Sequence, residues 1–373
     1  MTDFNPDRIN LALEYLGWSK KELAARSAMP SSYISKLLTG DRPFNENMAT
    51  RLSQVTGFPL SFFLLSDDTL SESQLTFRKL AKTKRSSVTR MIAEFRLLRG
   101  AVNRLQDMSN SLPDSSWLNE IAPQETPTVA EIEQLTLDLR TIWGLPSHGP
   151  INDITRSSER NGILVVPLTT PMDHGGDGVT CPTLPDSQPI IGYFRKNKPG
   201  DRLRFTIAHE LGHLVLHRNR RPENSRDAEF EANIFAGALL MPKTDALETL
   251  KPTMTLNDYA HTKAKWGISI AALVSRAASL GIVDSGRERS LRIQISNRGW
   301  AMNEPIEVLP EYPILMKQVV GRTFGQLKDI RTPAVSRKAV EGFLGLPFNL
   351  VNEWCDSKLL VKDDFSLEGL SGD

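Results

Sequence analysis

The chain has 373 residues, of which 40% are hydrophobic and 24% charged, with a formal net charge of +1. That length allows two or three domains with cores of their own, and the composition excludes a disordered or fibrous chain. Cys181 and Cys355 form no C-x-x-C pair, which excludes a disulfide framework and a thiolate zinc site. No apolar run approaches the roughly 18 residues of a membrane span, and the polar N-terminus lacks a signal pattern, so a cytoplasmic protein without a membrane partner is expected.

Residues 8–65 predict five short helices. Ile9, Leu11, Ala12, Leu13 and Leu16 form the first, which ends at Gly17. Ser19 can cap a second carrying Leu23 and Ala24. Ser31 or Ser32 can cap a third, holding Ile34, Leu37 and Leu38 and stopped near Gly40. A fourth runs through Met48 and Leu52 to Gly57, and a fifth begins at Pro59. The pair from Lys20 to Leu38 has the layout of a helix-turn-helix, whose second helix enters the major groove of double-stranded DNA by its N-terminal residues.

With its Leu23-Ala24 pair, Ile34-Ser35 and closing Gly40, this segment resembles the lambda-repressor-like, or XRE, family. The resemblance implies that Lys20, Ser31, Ser32, Tyr33 and Lys36 face DNA and that the protein acts as a homodimer on a two-part operator. One departure is Ala28, where that family usually has a turn glycine.

Residues 67–129 read as a basic helical segment followed by a Ser-, Pro- and Glu-containing linker. Arg78, Lys79, Lys82, Lys84, Arg85, Arg90, Arg96, Arg99 and Arg104 face only Glu94 as an acid before Asp107. Such a helix can contact phosphates, form a dimer seam, or simply be a solvated face. From 130 a helix with Ile132, Leu135, Leu139 and Ile142 runs to Gly144. Strands at Ile163–Val166 and Ile190–Phe194 flank a Gly- and Pro-rich loop, and helices follow at about 201–218, 226–241 and 255–281. Strands before helices signal an α+β domain over 130–285. Beyond 286, Leu291-Arg292-Ile293-Gln294-Ile295 alternates like a strand, and helical patterns lie near 312–324 and 334–355. The predicted fold class is multidomain: an all-α helix-turn-helix domain (1–66), an α+β domain, and a small α+β C-terminal region without a chemical motif.

The chemistry lies in His209-Glu210-Leu211-Gly212-His213, an H-E-x-x-H run in an apolar helical stretch. Two histidines one helical turn apart can share a zinc ion, and Glu210 beside them can serve as a base. A catalytic site needs a third ligand. His217 lies about 12 Å along the helix from His209, too far to share the ion, and is expected at the helix end, where the dipole favours a cation. On the next helix, Glu229 shares its face with Ala232, Asn233 and Ala236, small residues that allow close approach. Glu231 shares its face with the bulkier Ile234, Phe235 and Ala238, so the face argument favours Glu229.

The segment Arg204–His213, followed by E-x-x-A-N-x-F-A-x-x-L-L-M-P from Glu229 to Pro242, resembles the ImmA/IrrE family of zinc metallopeptidases over roughly residues 130–285. The resemblance implies a zincin-like fold, zinc ligands at His209, His213 and Glu229, and Glu210 as general base. Asn233 stands one turn from Glu229, where it can orient that ligand or serve packing. The strand at 190–194 is a candidate edge for a peptide substrate, or else internal. Tyr193 and His261 can stabilise an oxyanion or be structural, and His174 and Cys181 in the loop can close the open metal position or be ordinary loop residues. The implied function is a DNA-binding regulator that cleaves a repressor or antitoxin-like protein. The alternative is a non-proteolytic regulator or antitoxin that keeps the peptidase fold as a sensor.

Overall fold

A computed structural model describes residues 4–66, 74–76, 84–109, 112–171, 177–182, 187–194, 199–325, 334–356 and 359–362. The first four helices are Asp7–Leu16 (α1), Lys20–Ser27 (α2), Ser31–Leu38 (α3) and Glu46–Thr56 (α4), followed by a 3-10 turn at Leu60–Leu64. Ser19 caps α2 reciprocally with Glu22, and Gly17 and Gly57 close α1 and α4 in the left-handed conformation. Neither Ser31 nor Ser32 caps α3. Pro30 is its N-cap residue, and both serines lie inside the first turn, exposed.

The turn between α2 and α3 pivots on Ala28 at φ 50°, a left-handed conformation that costs a residue with a Cβ roughly 1–2 kcal/mol. The Arg51 guanidinium donates to its carbonyl at 3.2 Å. Ala28→Gly should relieve the strain and raise stability by about 0.5–1 kcal/mol after the added unfolded-state entropy, read as a higher urea midpoint.

The described part of the basic segment forms Arg85–Ser109 (α5), most of which packs against the rest of the chain instead of standing as a solvated face. Met91, Ala93, Phe95, Leu98 and Val102 are buried along it, and its arginines serve inter-element contacts. Arg96 pairs with Glu14 of α1 at 3.2 Å, Arg90 lies over Tyr15, and Arg104 donates to the Leu344 carbonyl. Arg78, Lys79 and Lys82 lie outside the described residues.

Helices Trp117–Ile121 (α6), Val129–Ile142 (α7) and Ile154–Arg160 (α8) lead into a three-stranded sheet. Its strands are Leu164–Leu168 (β1), Gly178–Thr180 (β2) and Ile190–Phe194 (β3), in the order β1-β3-β2. β3 is parallel to β1 and antiparallel to β2, with Gly178 opposite Tyr193 and Thr180 opposite Ile191. β2 falls in the loop that the sequence assigned no strand.

Beyond the sheet lie Gly200–Leu216 (α9), Ser225–Leu240 (α10), Lys243–Thr249 (α11), Leu256–Trp266 (α12) and Ile270–Ser279 (α13). The single helix expected over 255–281 is two, because Gly267 ends α12 in the left-handed conformation and Ser269 caps α13. Residues 291–295 are helical, within Ser285–Asn297 (α14). Leu291 and Ile295, one turn apart, are buried and Ile293 is exposed, so a short alternating run also satisfied helical spacing. The chain continues through Leu315–Phe324 (α15), Ala334–Ser336 (β4), Arg337–Leu344 (α16), Phe348–Trp354 (α17) and Leu360–Lys362 (β5), with β4 and β5 parallel. Among the described residues no helix is long and apolar enough to cross a membrane.

Both faces of the sheet are covered, which explains why β1 and β3 read as continuous apolar runs. Val165, Ile191 and Tyr193 face a core built with α7 to α14. Leu164, Val166, Ile190 and Phe194 face a second core that unites the first four helices, α5, and α15 to α17. The C-terminal segment therefore shares a core with the N-terminal helices. Glu94 of α5 sits at this junction, fully buried, and accepts five hydrogen bonds: from the backbone and hydroxyl of both Thr169 and Thr170, and from the Trp354 indole.

Candidate functional site

Helices α9 and α10 pack closely because of what they lack. A Cβ at Gly212 would lie 3.1 Å from the Phe235 ring and 3.2 Å from the Ala232 backbone, so glycine there sets the helix separation. Asn224 caps α10 through the Arg226 and Asp227 amides, which places Glu229 one turn in. His209 and His213 share a face of α9 with their Nε2 atoms 3.1 Å apart. Glu229 reaches them with Oε2 at 3.5 Å from His209 Nε2 and Oε1 at 3.4 Å from His213 Nε2.

These are the spacings a metal ion demands. Tetrahedral bonds of about 2.05 Å separate adjacent ligand atoms by about 3.4 Å. Among the described residues, His209, His213 and Glu229 are the one His/Cys/Asp/Glu cluster of that kind, with ligand atoms within 4.8 Å of one another. Burial alone would raise the Glu229 carboxyl, but the two adjacent imidazoles hold it well below the usual carboxylate range. Burial pushes His213 down, towards the neutral form that can coordinate.

The hydrogen bonds behind the histidines fix their tautomers. His217 Nε2 lies 3.0 Å from Glu231 Oε2, and a carboxylate only accepts, so this nitrogen carries the proton. His217 is buried and pushed down to about 2 by that burial and by the neighbouring His213 and Arg220, so it is neutral and its Nδ1 accepts. It accepts from His213 Nδ1 at 3.0 Å, which leaves His213 Nε2 with a bare lone pair. Asn233 Oδ1 lies 3.1 Å from His209 Nδ1 and accepts from it, which turns His209 Nε2 toward Glu229. The two Nε2 atoms and the Glu229 carboxylate thus converge, an arrangement that a cation satisfies.

Several expectations change here. His217 is not a cation on the helix dipole but a neutral, buried link to Glu231, because its desolvation outweighs a partial charge. Asn233 positions His209 rather than Glu229. The Glu231 carboxylate is also paired with Arg220. The spacing 209, 213, 217 was visible in the sequence, but Glu231 as its partner was not.

Glu210 is buried beneath β2. A Cβ at Gly178 would lie 2.6 Å from Glu210 Cγ and 2.7 Å from Oε1, so the strand passes over this carboxylate only because it is glycine there. The 190–194 strand is internal, and β2 is the strand next to α9 with a neighbour on one side only within the sheet. Tyr193 is buried with its hydroxyl 3.3 Å from Asp356, and His261 is exposed, so neither joins the site. Cys181 is buried just after β2 and outside the metal cluster, and His174 lies outside the described residues.

On the N-terminal domain, Lys20 of α2 and Ser31, Ser32 and Lys36 of α3 are exposed. Tyr33 is half-buried, its hydroxyl donating to Met48 Sδ at 3.1 Å, and Arg42 stacks on its ring at 4.5 Å. Arg42 is a cation that the sequence reading did not single out.

Comparison with known protein families found two matches. Residues 11–63 match the helix-turn-helix family model, and residues 159–278 match the model of the IrrE N-terminal-like domain, a peptidase family. A search of curated proteins found no match to the chain. The second match contains the whole three-stranded sheet, the two histidines and Glu229. The chain therefore joins an N-terminal helix-turn-helix DNA-binding domain to a metallopeptidase-like domain of the ImmA/IrrE family.

Proposed function

We propose that this protein is a DNA-binding regulator whose second domain is a zinc-dependent endopeptidase acting on a regulatory protein, a repressor or antitoxin-like partner. The observation that carries the reading is the convergence of two imidazole Nε2 atoms and one carboxylate at tetrahedral ligand spacing. His209, His213 and Glu229 would hold the ion. A zinc ion bound there supplies a Lewis acid that acidifies water towards a pKa of about 7 and polarises the scissile carbonyl.

Glu210 takes the proton of the attacking water and returns it to the leaving amine. Its burial against Gly178 keeps bulk water from the carboxylate and limits its rotamers. By accepting from Nδ1, His217 and Asn233 orient the two rings and make their Nε2 atoms better donors to the ion. His217→Leu should lower zinc affinity about 10- to 100-fold in a chelator competition, whereas Glu231→Gln, whose amide oxygen still accepts from His217, should lose far less.

Lys20, Ser31, Ser32, Tyr33 and Lys36 are the residues proposed to meet double-stranded DNA, with α3 in the major groove and a homodimer spanning two half-sites. The test of the whole reading is metal analysis of the purified protein with a Glu210→Gln trap. One zinc per chain and a co-purifying partner that the wild type releases as fragments are expected; a wild type that binds no zinc overturns it.

A further inference from the structure

Two grooves lie at opposite ends of β2, and one of them reaches the candidate centre. One of about 680 Å³ is lined by Asp177, which precedes the strand, and by Phe230 and Asn233. The other, of about 240 Å³, is lined by Pro182, beyond the strand, and by His213 and Glu229. β2 thus lies between a groove lined by Asn233 and one lined by His213 and Glu229, with Gly178 over Glu210. The outer edge of such a strand offers backbone donors and acceptors that an extended polypeptide can pair with.

In this structure that edge is taken by the chain itself. Thr76 and Thr180 form an antiparallel bridge, the Thr76 amide donating to the Thr180 carbonyl at 2.8 Å and the Thr180 amide to the Thr76 carbonyl at 3.1 Å. Gln74, Leu75 and Thr76 form a wall of the smaller groove, the one that holds His213 and Glu229. Leu75 is only 7% exposed and belongs to the same apolar core as the helix-turn-helix. The segment is therefore anchored by Leu75 in the core shared by the sheet, α5 and the N-terminal helices, and laid on the edge beside the metal ligands.

We propose that the outer edge of β2 is where an extended polypeptide substrate aligns, and that residues 74–76 act there as an internal competitor that must leave before another chain is cut. This rests on the peptidase reading for its consequence, but the occupancy can be tested without it. A tethered segment competes at an effective concentration that reaches the millimolar range, whereas two exchanged backbone hydrogen bonds are few enough to be displaced.

The experiment uses full-length protein in the Glu210→Gln background and a fluorescein-labelled synthetic peptide carrying residues 72–80, with binding read by fluorescence polarisation. Thr76→Pro removes the amide that bonds Thr180, and Leu75→Asp cannot remain in the apolar core. Both should bind the added peptide at least tenfold more tightly than the parent. A Thr76→Cys, Thr180→Cys pair in a Cys181→Ser background closes the edge when oxidised, since directly paired strand residues suit a disulfide. It should lose peptide binding and recover the parental level on reduction, which keeps the test valid if the release variants fold poorly. Equal binding by folded release variants and parent, or unchanged binding by the locked form, overturns the proposal. Zinc content is measured on the same samples: tight peptide binding without zinc sinks the peptidase reading alone, and zinc with unchanged peptide binding sinks this inference alone.

Discussion

Replacing Glu210 with glutamine should abolish peptide hydrolysis without emptying the site. The amide keeps the shape of the carboxylate but cannot accept a proton, so kcat should fall by roughly 10²- to 10⁴-fold, the usual contribution of a positioned general base. Zinc per chain should be unchanged, because the three converging donors are His209, His213 and Glu229. The measurement is hydrolysis of a fluorogenic peptide mixture alongside mass spectrometry of the metal. Gly178→Ala should reproduce much of the loss by a different route, since the new methyl would fall within 2.6 Å of Glu210 Cγ and displace that side chain. Because the displaced atoms belong to a flexible side chain, the fold and metal content should survive. A Glu210→Gln enzyme as active as the wild type would assign the base elsewhere.

The second large effect concerns stability. Glu94→Ala should destabilise the protein by about 3–5 kcal/mol, seen as a lower urea midpoint, because it strands five donors, three of them buried. The same carboxylate joins α5, the turn after β1 and Trp354, and Tyr15 of α1 lies 3.4 Å from Thr169 at its border. Loss should therefore loosen the N-terminal helices from the sheet as well as lower global stability. A variant as stable as the wild type would mean that water or rearranged side chains satisfy those donors at little cost.

Both effects start from an acid whose meaning differs in sequence and in space. Glu210 announced itself through its two flanking histidines at helical spacing, a local pattern that needs no tertiary information. Glu94 stood as a lone acid in a basic stretch, and only the fold shows that α5 is a core helix whose arginines pair across elements. Charge patterning describes a helix surface, and it misleads when most of the helix is covered by other parts of the chain.

The sequence by itself determined what local rules control: the helix-turn-helix, the caps at Ser19 and Gly57, the H-E-x-x-H helix, and the choice of Glu229 over Glu231 from the small residues on its face. It could not determine the strand at Gly178–Thr180, three residues whose pairing depends on a partner supplied by β3. Nor could it show that 291–295 is helical, because five alternating residues satisfy both periods until a neighbouring helix selects one. The linkage of His217 to Glu231, the sharing of one core by the N- and C-terminal segments, and the placement of Thr76 on β2 were likewise decided by tertiary structure. Each is a contact between residues distant in the chain, whose energy comes from burial and hydrogen bonding that no local window contains.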